Sequence, residues 1–435
     1  MQRDNTSQTP ITRRGVLKTS AAVGAVAAFA TLGTNFAHAA GSDAIKVGLI
    51  GCGGRGSGAA AQSVQGGRQV GANVQIAAVG DVFERPARNL ARNWKLPNDK
   101  CFTGLDNYKG VIDSGVDLVI LATPPGFRPY HFQYAIEKGK HVFFEKPVGV
   151  DPVGVRLVME MGDKAAEKKL GVVAGTQRRH EDNYQETVRR IHDGMIGDVL
   201  HMSVYWNGGG IWSRPREAGM SDVEYQIHNW YHYIWVCGDQ ICEQHVHNLD
   251  VANWVMNSHP LSAYGMGGRQ VRRTPGQIWD HFAIEYEYPN GGRVLSFCRH
   301  WGNTQDKVSE FAIGSKGTSD PSGWVAVKGG ARQSFKRTVD GYVQEHADLI
   351  KSILDGKPLN EARQVAESTM VAVMGRMSAY TGRKIYWDAE AAKADRKEGA
   401  FNVMESKLDT MPKNLDLKGS LPEPPVPMPG TEKLI

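Results

Sequence analysis

Little in this chain points to a metal, a disulfide scaffold, a nucleic acid or a lipid bilayer. The five cysteines, Cys52, Cys101, Cys237, Cys242 and Cys298, are odd in number, scattered and never spaced as C-x-x-C. That pattern writes neither a zinc site nor a disulfide framework, although a single bridge stays open. His228 and His232 stand four apart in QIHNWYHYIW, but no glutamate follows the first of them as in the H-E-x-x-H metalloproteases. No metal is therefore expected. Charge of one sign is also scarce: the net charge is +5, and Arg3, Arg13, Arg14 and Lys18 against Asp4 concentrate most of it in the first forty residues. The remainder is too evenly balanced for a nucleic-acid footprint. Runs of large apolar residues are missing too, and the uncharged stretch 19–37, dominated by Ala, Gly and Thr, is too weakly hydrophobic for a stable anchor.

What is present suffices for two ordinary cores: 435 residues, 41% apolar and 22% charged. At the start, Thr12-Arg13-Arg14-Gly15-Val16-Leu17-Lys18 precedes the small-residue stretch, and Ala37-His38-Ala39 offers an A-x-A cleavage site before Ala40. Paired arginines, a modest apolar region and small residues at the cut mark a twin-arginine export signal. The expectation is a signal over residues 1–39 and a periplasmic or otherwise exported mature protein with no stable membrane anchor after processing. That route moves folded proteins, so a bound cofactor can travel with the chain.

From Ile45 the chain reads IKVGLIGCGGRG, a short apolar strand running directly into Gly51-Cys52-Gly53-Gly54-Arg55-Gly56. With 50 glycines in the chain, this G-x-G-x-x-G spacing arises by chance about 0.65 times, so its context has to carry it. Small residues at 57–61 follow at a helix start, and a second apolar strand, VQIAAVG, ends in Asp81. An acid there accepts hydrogen bonds from the adenosine ribose hydroxyls and repels a 2′-phosphate, which favours NAD, while Arg85 keeps NADP open. Two further strands, VDLVILATPP and KHVFFEKP, end at Thr123-Pro124 and Glu145-Lys146-Pro147, with the helical stretch PYHFQYAIEKG between them. Alternating strands and helices predict a right-handed parallel sheet whose strand ends share one crevice, gathering Gly53, Asp81, Thr123 and Lys146. A lysine there, beside a cationic nicotinamide, is desolvated and repelled, which favours its neutral form and lets it relay a proton. The Lys146-Pro147 bond is a candidate for cis.

Beyond residue 180 the pattern changes. NYQETVRRIHDG reads as a helix, DVLHMSVYWN as a strand, 240–256 as one helix, and DHFAIEYEYPNGGRVLSFCRHW as a hairpin around Pro289-Asn290-Gly291-Gly292. An open antiparallel sheet backed by helices is expected. On the 240–256 helix Glu243 and His247 would share a face, the carboxylate orienting the imidazole, with Asp250 near the same stripe. His245 would point about 200° away from His247, so the two cannot easily grip one ion. Trp230, Tyr231 and Trp235, with His228 and His232, read either as a sugar-binding loop, whose flat aromatic faces suit pyranose C–H faces, or as an aromatic core loop. Helices over 342–356 and 361–380 are expected to pack structurally. After Asp388 the chain turns charged and then proline-rich (LPEPPVPMPG), an extended tail that wraps a neighbour or its own domain.

GCGGRG, Asp81, ATPP with His131 downstream, Glu145-Lys146-Pro147, and VHNLDVANW around His247 and Asp250 make a chain that resembles the Gfo/Idh/MocA oxidoreductases over nearly all of its mature length. E-K-P after the fourth strand is the most specific element. The resemblance implies an α/β fold: an N-terminal Rossmann dinucleotide-binding domain (40–178), a C-terminal α+β domain with a large open, mostly antiparallel sheet (179–388), and a tail (389–435). It implies an NAD site at Gly51, Gly53, Gly54, Arg55, Gly56, Asp81, Thr123, Pro124, His131, Glu145 and Lys146. Lys146 and His247 are implied as catalytic, with Glu243 standing where the family's D-x-x-x-H motif has the shorter aspartate. Arg178, His228, Trp230, Tyr231 and His232 are the candidate substrate residues.

The reaction expected is oxidation of a secondary hydroxyl on a sugar or sugar derivative: His247 takes the hydroxyl proton and Lys146 polarises the oxygen as hydride leaves for the nicotinamide. Outside the cytoplasm there is no ready pool of free NAD, so the cofactor is expected to stay bound and to be recycled in place. Two other readings stay open. One is an NAD-dependent glycoside hydrolase working by transient oxidation, elimination, water addition and re-reduction; the other is a non-catalytic sugar-binding protein. The family's open sheet implies a homo-oligomer, dimer or tetramer.

Overall fold

The computed structural model describes residues 44–431, so the expected export signal and its cleavage site lie outside the described residues. The first sheet is wholly parallel. Its strands are β1 (Ala44–Ile50), β2 (Asn73–Asp81), β3 (Cys101–Thr103), β4 (Leu118–Leu121), β5 (His141–Phe144) and β6 (Val172–Ala174), in the order β3-β2-β1-β4-β5-β6. The central strands are runs of Val, Ile, Leu and Phe buried on both faces, because helices cover both. Neighbouring residues serve opposite cores: Leu118, Ile120 and Phe143 point to one side, and Val119, Leu121, Val142 and Phe144 to the other. β3 is not legible in the sequence, since three residues are too few to show a period.

The second sheet comprises β7 (Val199–Gly208), β8 (Ser262–Gly268), β9 (His281–Glu287), β10 (Arg293–His300), β11 (Lys307–Gly314), β12 (Gly317–Asp320), β13 (Trp324–Val327), β14 (Arg332–Ser334) and β15 (Ile385–Tyr386). Its order is β14-β13-β12-β11-β7-β10-β9-β8-β15, and every pairing is antiparallel except β7 with β10. β9 and β10 form the expected hairpin. One face of the sheet packs on helix Ala362–Thr381, which is buried along most of its length and carries one continuous core from this sheet to the parallel one.

Two returns of the chain bind the halves together. Helix Gly341–Leu354 lies on helix Gly54–Gln69, where a Cβ on Gly66 would come within 2.8 Å of the Ala347 nitrogen. Glycine there is what lets the two backbones touch. The proline-rich tail wraps its own chain: Met411, Leu415, Leu417 and Leu421 pack against the cluster holding Tyr233 and Trp235, and the Tyr233 hydroxyl donates to Glu423 (2.9 Å). All five cysteines are free, and no helix among the described residues is long and apolar enough to cross a membrane.

Two glycines of the first turn should respond oppositely to a methyl group. A Cβ on Gly56 would overlap the Gly51 carbonyl oxygen, whereas one on Gly53 would meet nothing within 4 Å. Gly56→Ala is expected to cost about 1–3 kcal/mol in urea unfolding, and Gly53→Ala less than about 0.5 kcal/mol. Equal losses would contradict this packing.

Candidate active site

The strand ends of the parallel sheet and four segments of the second half enclose a cleft of about 370 Å³. On the first side, the chain leaves β1 through Gly51 (φ +98°) into helix Gly54–Gln69. A Cβ on Gly51 would sit 2.6 Å from the Ala122 carbonyl, so only glycine lets this turn pack on the end of β4. Gly53 and Gly54, by contrast, face open space. Gly53 caps the helix without a side-chain acceptor, leaving the first-turn N–H groups of a 16-residue helix to receive an anion. The turn thus fits the pyrophosphate of a dinucleotide.

Asp81 ends β2, oriented by the backbone N–H groups of Cys52 (2.7 Å) and Phe83 (2.9 Å), and shares an adjoining groove with Thr123, Pro124 and His131. Burial pushes its carboxyl above the ordinary value. Thr123 Oγ1 and His131 Nδ1 are 3.3 Å apart, and His131 stacks on Tyr108 with 4.2 Å between centroids. Burial beside Arg128 pushes His131 down to about 3, so it is neutral at pH 7. Arg55 Nε donates to Glu145 (2.6 Å) and its guanidinium lies over the Tyr342 ring.

On the opposite side the expected 240–256 helix is broken. It runs as Gln240–Glu243 and Val246–Met256, with Gln244 and His245 between. The break is anchored by Asp239 (φ +71°), whose buried carboxylate accepts from Gln240 N, from Trp279 N (2.7 Å) and from the Tyr380 hydroxyl. Hydrogen bonding slips there: His245 N donates to the Gln240 carbonyl (3.2 Å) and His247 N to the Gln244 carbonyl (3.3 Å). The Glu243 carbonyl, which a regular helix would give to His247 N, is left free. Lys146 Nζ takes it (2.5 Å) and also lies 3.4 Å from Glu243 Oε1.

Glu243 is therefore the partner of Lys146 and not the orienter of His247. The His247 ring instead stacks on Trp206 from β7, 5.7 Å between centroids and 20° between planes. Burial, then the charges of Lys146 and Arg178, hold His247 well below an ordinary histidine, so it is a neutral imidazole lining the cleft. The Lys146-Pro147 bond is cis.

Of the other candidates, Gly53, Gly54, Arg55, Gly56, Thr123, Pro124, Glu145 and Trp230 line the cleft. Arg178, Tyr231, His228 and His232 do not. Arg178 is drawn into an ion pair with buried Glu310 between the Tyr184 and Trp206 rings. Tyr231 is buried, its phenol pushed well up by desolvation and the Glu243 charge. His228 meets Phe83 edge-on, and His232 is pinned between the Trp212 carbonyl (2.7 Å) and Thr274 (3.2 Å). His245 is turned into the sheet toward Ser296 (2.8 Å), and Asp250 receives Arg179 (2.8 Å) and Ser368 (2.8 Å). Arg128, Gln177, Trp206, Gln244 and Tyr342 line the cleft without having been marked in the sequence. Only Arg128 carried a local signal: it opens helix Arg128–Glu137 just after A-T-P-P, and its buried guanidinium donates to the Pro147 carbonyl (2.5 Å).

Residues 45–176 match the model of the Gfo/Idh/MocA oxidoreductase family, NAD-binding Rossmann fold, and residues 184–319 match that of a Gfo/Idh/MocA C-terminal domain. The chain belongs to the Gfo/Idh/MocA family. Its N-terminal half is an NAD-binding Rossmann fold, and Arg85, which kept NADP open, stands exposed on helix Glu84–Asn93. Inositol 2-dehydrogenase of Burkholderia lata is 23% identical over 72% of this chain and 86% of its own length. The match to scyllo-inositol 2-dehydrogenase (NAD(+)) of Bacillus subtilis, 27% identical, covers 44% of this chain and about half, 49%, of that relative. Among solved structures, the WlbA dehydrogenase of Bordetella pertussis, in complex with NADH and UDP-GlcNAcA, superposes with a TM-score of 0.62 at 20% identity, over 79% of this chain and 99% of that one. Residues 10–30 match the twin-arginine translocation signal sequence.

The buried histidines set an acid limit on stability. Burial pushes His131, His245 and His300 down to about 3 and His141 and His232 to about 4. Unfolded, each protonates near 6.5, so below that pH the unfolded chain binds more protons and stability falls as pH falls. His180 acts oppositely: desolvated, yet lifted to about 10 by Asp348 and Glu361, its contribution is present below about 6.5 and is lost only as pH rises through 10. The urea midpoint is expected to drop steeply between about pH 6.5 and 4. A flat profile there would contradict the neutral assignment.

Proposed function

We propose that this protein is an exported, NAD-dependent oxidoreductase that oxidises a secondary hydroxyl of a sugar or polyol and recycles a tightly held cofactor in place. The observation that carries this reading is the meeting, in one cleft, of an open glycine turn with Lys146 from the parallel sheet and His247 from the other half. NAD bound along that turn supplies the hydride acceptor.

The chain's own residues handle the proton and the substrate. Neutral His247 accepts the hydroxyl proton, and Trp206 beneath it fixes the plane of the ring. Lys146, held by the Glu243 carbonyl and carboxylate, donates a hydrogen bond to the same substrate oxygen and stabilises the charge that develops on it. Trp230 offers a flat apolar face to the C–H face of a ring. The dehydrogenases named above support a polyol or sugar substrate. The signal match supports a periplasmic site of action, where retention of the cofactor follows from the lack of a free NAD pool. Exposed Tyr264, Met266, Val308 and Ile313 on the nine-stranded sheet support a homo-oligomer, dimer or tetramer.

Freshly purified protein, denatured, is expected to release stoichiometric NAD. Without added nucleotide it should convert paired sugar substrates into one oxidised and one reduced product by mass spectrometry; free unoxidised sugar from a glycoside would instead mark hydrolysis. His247→Asn should lower kcat by about 10²–10⁴-fold with nucleotide content unchanged, and Lys146→Met should lower kcat by about as much. Because His247 is held neutral, the acid limb of kcat/KM is expected below about 6.5. Absence of nucleotide from the native protein would overturn the retained-cofactor reading.

A further inference from the structure

A second cavity, of about 420 Å³, lies outside the cleft, between the end of β8 and the proline-rich tail. Arg269, Arg272 and Arg273 line it, three cations within one short loop, and among the described residues none of them is ion-paired. Arg269 gives its fork to the carbonyls of Thr274 and Gly276, and Arg273 donates to those of Gln270 (3.1 Å) and Arg272 (3.2 Å). These acceptors are neutral. Arg272 is only 8% exposed, and its Nε and Nη2 have no hydrogen-bond partner.

The carboxylates nearby are committed to other donors. Asp280 receives Val271 N (2.6 Å), Arg272 N (2.9 Å), His281 and Trp301. Asp239 receives Gln240 N, Trp279 N and Tyr380, and Glu423 receives Tyr233 and Gly276 N. A buried guanidinium left without an anion is strongly destabilising, and the repulsion between Arg272 and Arg269 adds to this. Arg272 lies outside the cleft, and among the described residues no carboxylate is within ion-pair distance of it, although its charge is felt by buried Asp239.

The geometry points to an oxyanion-binding pocket: Arg272, flanked by Arg269 and Arg273, receives the carboxylate or phosphoryl group of a small molecule. The guanidinium fork matches both groups. Trp279, whose Nε1 donates to the Pro427 carbonyl (3.1 Å), joins the tail to the floor of the pocket, and the volume leaves room for a sugar-sized body behind the anion. The arginine loop is also fastened to the turn that delivers Trp230 to the cleft, through Gln277 N to the His232 carbonyl (3.1 Å).

The test is calorimetric titration of the whole protein, cofactor bound, with inorganic phosphate and separately with glucuronate, against chloride at matched ionic strength. Wild type is expected to bind at least one of the two; phosphate alone marks a phosphoryl ligand, glucuronate alone a sugar acid. Arg272→Met should weaken binding about tenfold or more, yet raise Tm in chloride, because an uncompensated buried charge is gone. Exposed Arg273→Met should fold as wild type and weaken binding less. Binding of neither anion, binding unchanged in Arg272→Met, or a lower Tm of Arg272→Met in chloride would each overturn the proposal.

Discussion

One carbonyl oxygen holds the cleft together. In an unbroken helix the Glu243 carbonyl would belong to His247 N; because the helix slips at Gln244 and His245, it is free, and the Lys146 ammonium takes it. This contact joins the chain just after β5 to the Gln240–Glu243 segment across the cleft. The slip is itself fixed from below, by the Asp239 carboxylate tying Gln240, Trp279 and Tyr380 into one buried network. A backbone irregularity that looks like a defect in a helix is thus what positions a lysine and presents a histidine on the next turn.

The electrostatic state of the site follows from burial more than from pairing. His247 has no carboxylate on its ring; it is neutral because desolvation and two cations disfavour its charge. Arg128 is pushed down to about 10 by burial, against the pull of Glu145 and Glu243, and still carries its charge at neutral pH. Arg178 and Glu310 neutralise one another beneath Trp206. The cleft therefore presents a neutral imidazole at His247, which is what removing a hydroxyl proton needs.

Legibility varied with how local each residue's cause was. Gly51, Gly53, Gly56, Asp81 and Glu145-Lys146-Pro147 were legible because a strand end, a tight turn and a fixed spacing place them with little help from the rest of the chain. Tyr231 and His232 read either as part of a sugar-binding loop or as part of an aromatic core loop, and they and Arg178 are each taken up by packing: a buried phenol, a pinned ring, an ion pair. Trp206, Gln177 and Tyr342 reach the cleft from a strand, a turn and a helix far apart in the chain, and no local pattern announces that.

By itself the sequence determined the parallel sheet, the dinucleotide turn and the hairpin, since these follow from period, glycine sterics and short spacings, whereas His247 was marked only by the family resemblance. Only the tertiary structure decided that Glu243 serves Lys146, that His247 rests on Trp206, and that the proline-rich tail closes on its own chain. The physical reason is the same in each case. A helix break, a ring stack and a tail contact are settled by competition among distant partners for one donor, one face or one apolar surface, and a linear pattern does not record who else competes.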